Sequence, residues 1–372
     1  MSIYLDYNSS APIDERVLEA MIYVYKNIIG NADSRTHDYG ESARKIVENA
    51  RKQVASILRI KSDEVFFTSG ATESNNIALQ GLKEYAYSTN KKHIITTSIE
   101  HKAILETVKV LQQEGFAVDY ISPDISGRIS VTDVLEKVRK DTLLVSVMHV
   151  NNETGITQPV YEIGEALQDK DVLFHVDATQ SFGKLVEELQ QIKYNMLSMS
   201  ALILRKQRYK LPPVKPIMYG GQQEHGIRPG TLPVALIAGL GKACEIAEKE
   251  YKTNIQQCRN IKNKINTMLE ESGLEYKYNG LQEYAMPTTM NICFKGVSSE
   301  ALMLSSKDFC SISNGSACNS KSYSPSYVLL AMGIPKDQIE SSVRISWGHD
   351  ITIDEIEKSF QNVIEAAKGL VW

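Results

Sequence analysis

No CxxC pair occurs in this sequence, and its five cysteines, Cys244, Cys258, Cys293, Cys310 and Cys318, are widely spaced. An odd count at such spacing argues against a disulfide framework or a zinc site and suits the reducing cytoplasm. Long apolar runs are missing too: nothing approaches the ~18 consecutive apolar residues of a membrane span. The opening, MSIYLDYNSSAP, has no basic segment and no apolar one, so no secretory signal is expected. A formal net charge of -4 gives no electrostatic case for direct binding to nucleic acid. Repeats, low-complexity tracts and obvious linkers are absent as well. What remains is a soluble globular composition, with 42% hydrophobic and 23% charged residues in a chain of 372. That length is too great for one small core. It suits two domains, or a large domain with a smaller one attached.

Periodicity supplies the class. From about Asp14 to Leu58 the pattern is helical, with apolar residues of ESARKIVENARKQVASIL at three- and four-residue spacing. Short apolar strands then alternate with helices: EVFFTSG, KHIITTSIEH before the helix KAILETVKVLQQEG, TLLVSVMHVNNETG and DVLFHVDATQSFG. Such alternation predicts an α/β fold on a parallel, doubly wound sheet, with ligands at the carboxyl ends of the strands. Residues 241–266 read as one long helix. Beyond it come shorter α+β signals, MNICFKG, FCSIS and SSVRISWG, and a final helix, TIDEIEKSFQNVIEAAKGL. The expected division is a large domain over 15–245 and a small one made of 1–14 with 246–372.

Several strand ends carry chemistry. In TSGATESNNIAL, Gly70 permits a turn, and Ala71 and Thr72 offer amides at a helix start, either as a phosphate site or as an ordinary capped first turn. Asp177, in HVDATQS, ends an apolar strand, where a carboxylate is costly without a partner. It could face a protonated pyridine nitrogen, or cap the following turn. His101 in SIEHKA could stack on a planar ring, or be a surface or core histidine. Asn152 in HVNNETG ends a third strand, or forms a turn. Cys318 lies among small polar residues in ISNGSACNS, a setting for an exposed, reactive thiol. Arg344, inside the apolar strand of SSVRISWG, needs an anion: a substrate carboxylate or an internal salt bridge.

Taken in order, these motifs resemble the cysteine desulfurases of the NifS/IscS type, which are class-V aminotransferases of PLP fold type I. The resemblance runs through YLDYNSSAP, SGATESNN, EHKA, HVNNETG, HVDATQSFGK, GGQQEHGIRPGTLP, SNGSACNS and SSVRISWG. It implies a PLP fold type I architecture with a mainly parallel seven-stranded sheet and a cytoplasmic homodimer that takes L-cysteine. Ala71, Thr72 and Ser200 would hold the phosphate of pyridoxal 5'-phosphate. His101 would stack on the ring, Asp177 would bind its nitrogen, and Asn152 and Gln180 would bind near its phenolic oxygen and the substrate carboxylate. Thr231 would reach the phosphate of the partner subunit. Arg344 would grip the carboxylate of cysteine, and Cys318 would carry sulfur away as a persulfide to an acceptor or scaffold protein. Iron–sulfur assembly, tRNA thiolation and DNA phosphorothioation are the destinations this family serves.

One segment departs from the family. After MLSMS the family continues with a Schiff-base lysine and a Gly-Pro-Lys-Gly loop. Here Ser200-Ala201 passes straight to Leu202-Ile203, about eleven residues short. NMLSMSALILRKQRYK reads as two strands with no glycine, proline or turn between them. Lys206 and Lys210 follow the second strand and are expected at its far end. Two outcomes are open: a working desulfurase, or an impaired scaffold that binds a cluster-assembly or sulfur-acceptor partner.

Overall fold

Strand ends that are far apart in the chain meet along one edge of a seven-stranded sheet. The computed structural model describes residues 2–315 and 325–371; Cys318 lies outside them. The strands are β1 (Ile3–Tyr4), β2 (Val65–Phe67), β3 (His93–Thr97), β4 (Ala117–Ile121), β5 (Thr142–Met148), β6 (Leu173–Asp177), β7 (Met196–Ser198), β8 (Ala201–Leu204), β9 (Tyr276–Tyr278), β10 (Thr289–Phe294), β11 (Cys310–Ser311) and β12 (Ser342–Ser346). The large sheet has the order β2-β8-β7-β6-β5-β3-β4, and only β8 runs antiparallel to its neighbours. Every residue of β5 is buried, as expected for a strand covered on both faces, and this accounts for its unbroken TLLVSVM run.

Alternation sorts side chains between two cores. On β8, Ala201 and Ile203 join the core under the helices Asp38–Leu58 and Val160–Leu167, while Leu202 and Leu204 join the one under Ala71–Gln80 and Lys102–Gln113. A slip of one residue would exchange the two sets, so the register of β8 is firmly set. A third core gathers Leu5, Trp347, the sheet β12-β10-β9 and the terminal helix Ile353–Leu370. The helix Val234–Ser272, longer at both ends than the sequence suggested, contributes Ile237 and Cys244 to the first core and Cys258, Ile261 and Ile265 to the third. The region 14–58 forms two helices, Glu15–Asn27 and Asp38–Leu58.

The abrupt β7–β8 junction is a hairpin. Met196 faces Leu204, Leu197 faces Ile203 and Ser198 faces Leu202. The Met199 amide donates to the Ala201 carbonyl at 3.0 Å, so Ser200 alone stands between the paired residues. The expectation of two strands with no turn is thus corrected: the turn exists, and it is Met199-Ser200-Ala201. Because β8 runs back across the sheet, Lys206 and Lys210 come out at the opposite edge. Lys206 pairs there with Asp63, which precedes β2, and Lys210 is exposed.

Candidate active site

Two groups of residues assemble on the carboxyl edge of the parallel strands. The first is built on the helix Ala71–Gln80. Gly70 has φ 158 and no side chain, and its carbonyl accepts the Ser74 amide. The Ala71 and Thr72 amides find no acceptor among the described residues, as at any helix start awaiting an anion. Ser74 Oγ donates to the Met199 carbonyl at 3.0 Å, and Thr68 Oγ1 reaches the Ser200 carbonyl at 3.5 Å. The tight hairpin is thereby tied to this helix, with Ser200 exposed beside it. One residue along, Asn75 Nδ2 donates to Asp177 Oδ2 at 2.7 Å.

Asp177 is 4% exposed. Its other oxygen takes the Thr179 amide and hydroxyl, so the turn-capping role is real. No cation among the described residues lies within ion-pair distance of it. Behind it, burial pushes the His175 imidazole down to about 4, so a neutral ring bridges the Ser146 and Ser198 hydroxyls. His101 caps the helix Lys102–Gln113, and its Nδ1 accepts the Ala103 amide at 3.1 Å, which puts the neutral ring's proton on Nε2.

The second group centres on Arg344, 4% exposed on β12. Its Nη2 donates to Asp6 Oδ1 at 2.6 Å and its Nη1 to the Asn152 carbonyl at 3.0 Å. Its Nε and the Asn152 Oδ1 are both buried without a partner. Asn8 joins this group to Gln180: its Nδ2 donates to the Asn152 carbonyl at 3.1 Å, and its own carbonyl accepts from Gln180 Nε2 at 3.1 Å. Arg344, Asn152 and Gln180 are therefore one connected set, while Thr231 is exposed and no hydrogen bond among the described residues ties it to them.

Sequence reasoning missed Asp6, Asn8, Asn75, Glu100 and Glu153. Glu153 is 2% exposed and lies beside both Gly315 and Ser326. Ser326 Oγ donates to its Oε2 at 2.5 Å, and a Cβ on Gly315 would stand 3.0 Å from that same atom. Burial pushes its carboxyl up to about 7 against the opposing pull of Ser326, Arg344 and Lys102. Glu100 lies deeper, fully buried, with Oε1 accepting from Thr97 Oγ1 and the Met148 amide and Oε2 unpartnered. Burial raises its pKa from 4.5 to about 8. A side chain that keeps its proton in the fold and loses it on unfolding makes stability fall as pH rises between those values. Each pH unit over which the two states differ by one proton is worth about 1.4 kcal/mol. Denaturant titrations at pH 5 and pH 8 are expected to show a shallower loss for Glu100→Gln than for the parent chain. Equal losses would mean that Glu100 is ionised in the fold.

These residues fit pyridoxal phosphate. Unclaimed amides at a helix start suit a phosphate, and a buried carboxylate without a cation suits a protonated ring nitrogen. The unpartnered Arg344 Nε and Asn152 Oδ1 suit the polar atoms of a bound amino acid. Among the described residues no group of side chains could hold a metal ion.

Comparisons agree with this chemistry. A model of the class-V aminotransferase family matches residues 3–358. The cysteine desulfurase IscS of Actinobacillus succinogenes is 40% identical over an alignment of 385 positions, covering 100% of this chain and 94% of that protein. Among solved structures, one named NifS-like protein is 32% identical with a TM-score of 0.90 and covers 100% of both chains. Another, SspA in complex with cysteine, is 34% identical with a TM-score of 0.80, covering 92% of this chain and 98% of that one.

Proposed function

This chain belongs to the class-V aminotransferase family and is a cysteine desulfurase of the NifS/IscS type, and on that premise we propose that it binds pyridoxal phosphate and draws sulfur from L-cysteine onto Cys318. Ala71, Thr72 and Ser200 would hold the phosphate, His101 would stack on the ring, and Asp177 would face its nitrogen. Asn152 and Gln180 would bind near the phenolic oxygen and the substrate carboxylate. The cofactor, when bound, supplies an electron sink that weakens the bonds at the substrate's α- and β-carbons. Arg344 holds the carboxylate and so fixes which bond faces the ring. The Cys318 thiolate bonds to the substrate's sulfur as the carbon–sulfur bond breaks. The electron pair of that bond stays on carbon, which takes a proton and leaves as alanine, and the protein keeps a persulfide. A sulfur-acceptor protein then takes the outer sulfur. Thr231, exposed before the helix Val234–Ser272, would reach the phosphate held by a second subunit of a homodimer. The large part spans 15–245, and 1–14 with 246–372 forms the small one. No helix among the described residues is long and apolar enough to cross a membrane, and a cytoplasmic site of action suits the chemistry.

The observation that carries this reading is the two unpartnered buried atoms, Arg344 Nε and Asn152 Oδ1, on residues joined by the Nη1–carbonyl hydrogen bond. A buried donor left unmade costs about 1–3 kcal/mol, a cost relieved when a carboxylate docks. Arg344→Ala is expected to raise the apparent KM for cysteine by the equivalent of about 2–4 kcal/mol. Steady-state kinetics on a variant with a native circular dichroism spectrum is the check. An unchanged cysteine dependence would make Arg344 a purely structural ion-pair partner.

A further inference from the structure

Arg344 already holds a carboxylate of its own chain. Asp6 Oδ1 lies 2.6 Å from Nη2, and the pair is 338 residues apart in sequence. The Asp6 side chain is 18% exposed and that of Arg344 4%, so water screens the contact little. Asp6 cannot swing away with its backbone. It bridges to Ser346 at the end of β12; the preceding Leu5 amide donates to the Ser311 carbonyl, and the following Tyr7 amide donates to the Ser346 carbonyl. A guanidinium has five N–H groups, enough to serve two carboxylates at once. It has only one positive charge, and a second carboxylate arriving beside Asp6 meets a cation already neutralised.

We propose that Asp6 is a specificity-determining residue that competes with the substrate's carboxylate for Arg344 and so sets how weakly the site holds amino acids. The proposal rests on the reading that Arg344 binds the substrate carboxylate. Asp6 keeps a buried guanidinium compensated and oriented while the site is empty. It also lowers the gain when substrate docks, so that the amino-acid product is released. Stability and affinity are therefore set against each other at one ion pair. A merely structural salt bridge has no such opposition.

Asp6→Asn keeps a neutral acceptor for Nη2 and removes the competing charge. Thermal unfolding of the protein with pyridoxal phosphate, titrated with L-alanine, reads both effects at once. The variant is expected to unfold at a lower temperature without ligand. Its L-alanine affinity is expected to rise about three- to tenfold, and its apparent KM for cysteine to fall by the same factor. L-Alaninamide, which lacks the carboxylate, is expected to gain nothing. If Asp6→Asn does not fold, Asp6→Ser carries the same expectation. A parent chain that responds to L-alanine beside a variant of equal or weaker affinity overturns the role of Asp6 alone. A parent chain that responds to neither L-alanine nor L-cysteine overturns the assignment of Arg344 and this proposal with it.

Discussion

Cys318→Ala protein incubated with L-cysteine is expected to form no persulfide above background, a loss of roughly 10³-fold or more, as when other covalent nucleophiles are removed. The argument comes from the other four cysteines. Cys244, Cys258, Cys293 and Cys310 are all buried. Burial pushes their thiols up to about 12, 11, 11 and 12 respectively. At pH 7 roughly one in 10⁴ or fewer of such groups is a thiolate, and the thiolate is the nucleophile. Cys310 is further fixed by strand pairing with Ile3, and Cys258 by its place in the helix Val234–Ser272. Only Cys318, in the polar ISNGSACNS context, is left to attack. Mild alkylation of the folded chain, mapped by peptide mass, is accordingly expected to modify Cys318 and spare the rest. Persulfide on Cys318→Ala at the level of the parent chain would overturn the assignment.

The sheet was legible because it is local. Most of its strands announce themselves by a short apolar run, as β5 illustrates, and the alternation with helices such as Lys102–Gln113 fixes the class; β4, AVDYI, mostly unburied and interrupted by Asp119, was not legible. Asp177, His101, Asn152 and Arg344 were legible for a related reason: a polar residue at the end of an apolar run, or within one, has few places to go but a ligand edge. The partners of these residues were not legible. Asp6 sits in a polar opening segment, and nothing near it in sequence says that it will pair with Arg344. Glu100 and Glu153 stand among polar neighbours in SIEHKA and HVNNETG and read as surface residues. They become buried because the chain around Ser326 and Tyr327 returns over them: the Ser326 hydroxyl reaches Glu153, and the Tyr327 hydroxyl reaches the Glu100 carbonyl at 2.7 Å. The two readings of Arg344, ion-pair partner or substrate clamp, are compatible. The guanidinium pairs with Asp6 on one nitrogen and keeps Nε unspent.

Dialysis is expected to remove the cofactor, and borohydride reduction of the dialysed protein is then expected to give no stoichiometric pyridoxyl-lysine. The reason is the β7–β8 hairpin. Strand pairing runs to Ser198 and Leu202, and the Met199 amide closes on the Ala201 carbonyl, so the connection of Met199, Ser200 and Ala201 has no lysine to reach over the site. Lys206 and Lys210 follow β8 to the other edge, where Lys206 is engaged by Asp63. What is left for the cofactor is non-covalent: the helix-start amides of Ala71 and Thr72, the Asp177 carboxylate and the His101 ring. Binding and orienting groups of that kind still align cysteine against Arg344, so sulfur transfer persists. The proton transfers that the family's lysine performs at the substrate's α-carbon have no side chain assigned to them here. General acid–base catalysis of that type contributes about 10²–10⁴ in rate, and turnover is expected to fall short of lysine-bearing relatives by that factor. Methylamine added to the assay is expected to restore part of the loss, since a small free amine can do the work of the missing one. Among the described residues, Lys102 lies just after His101, and the partly buried Lys184, whose pKa burial lowers, follows β6. A reduced adduct mapped to either, with turnover insensitive to methylamine, would show that another lysine has taken the role.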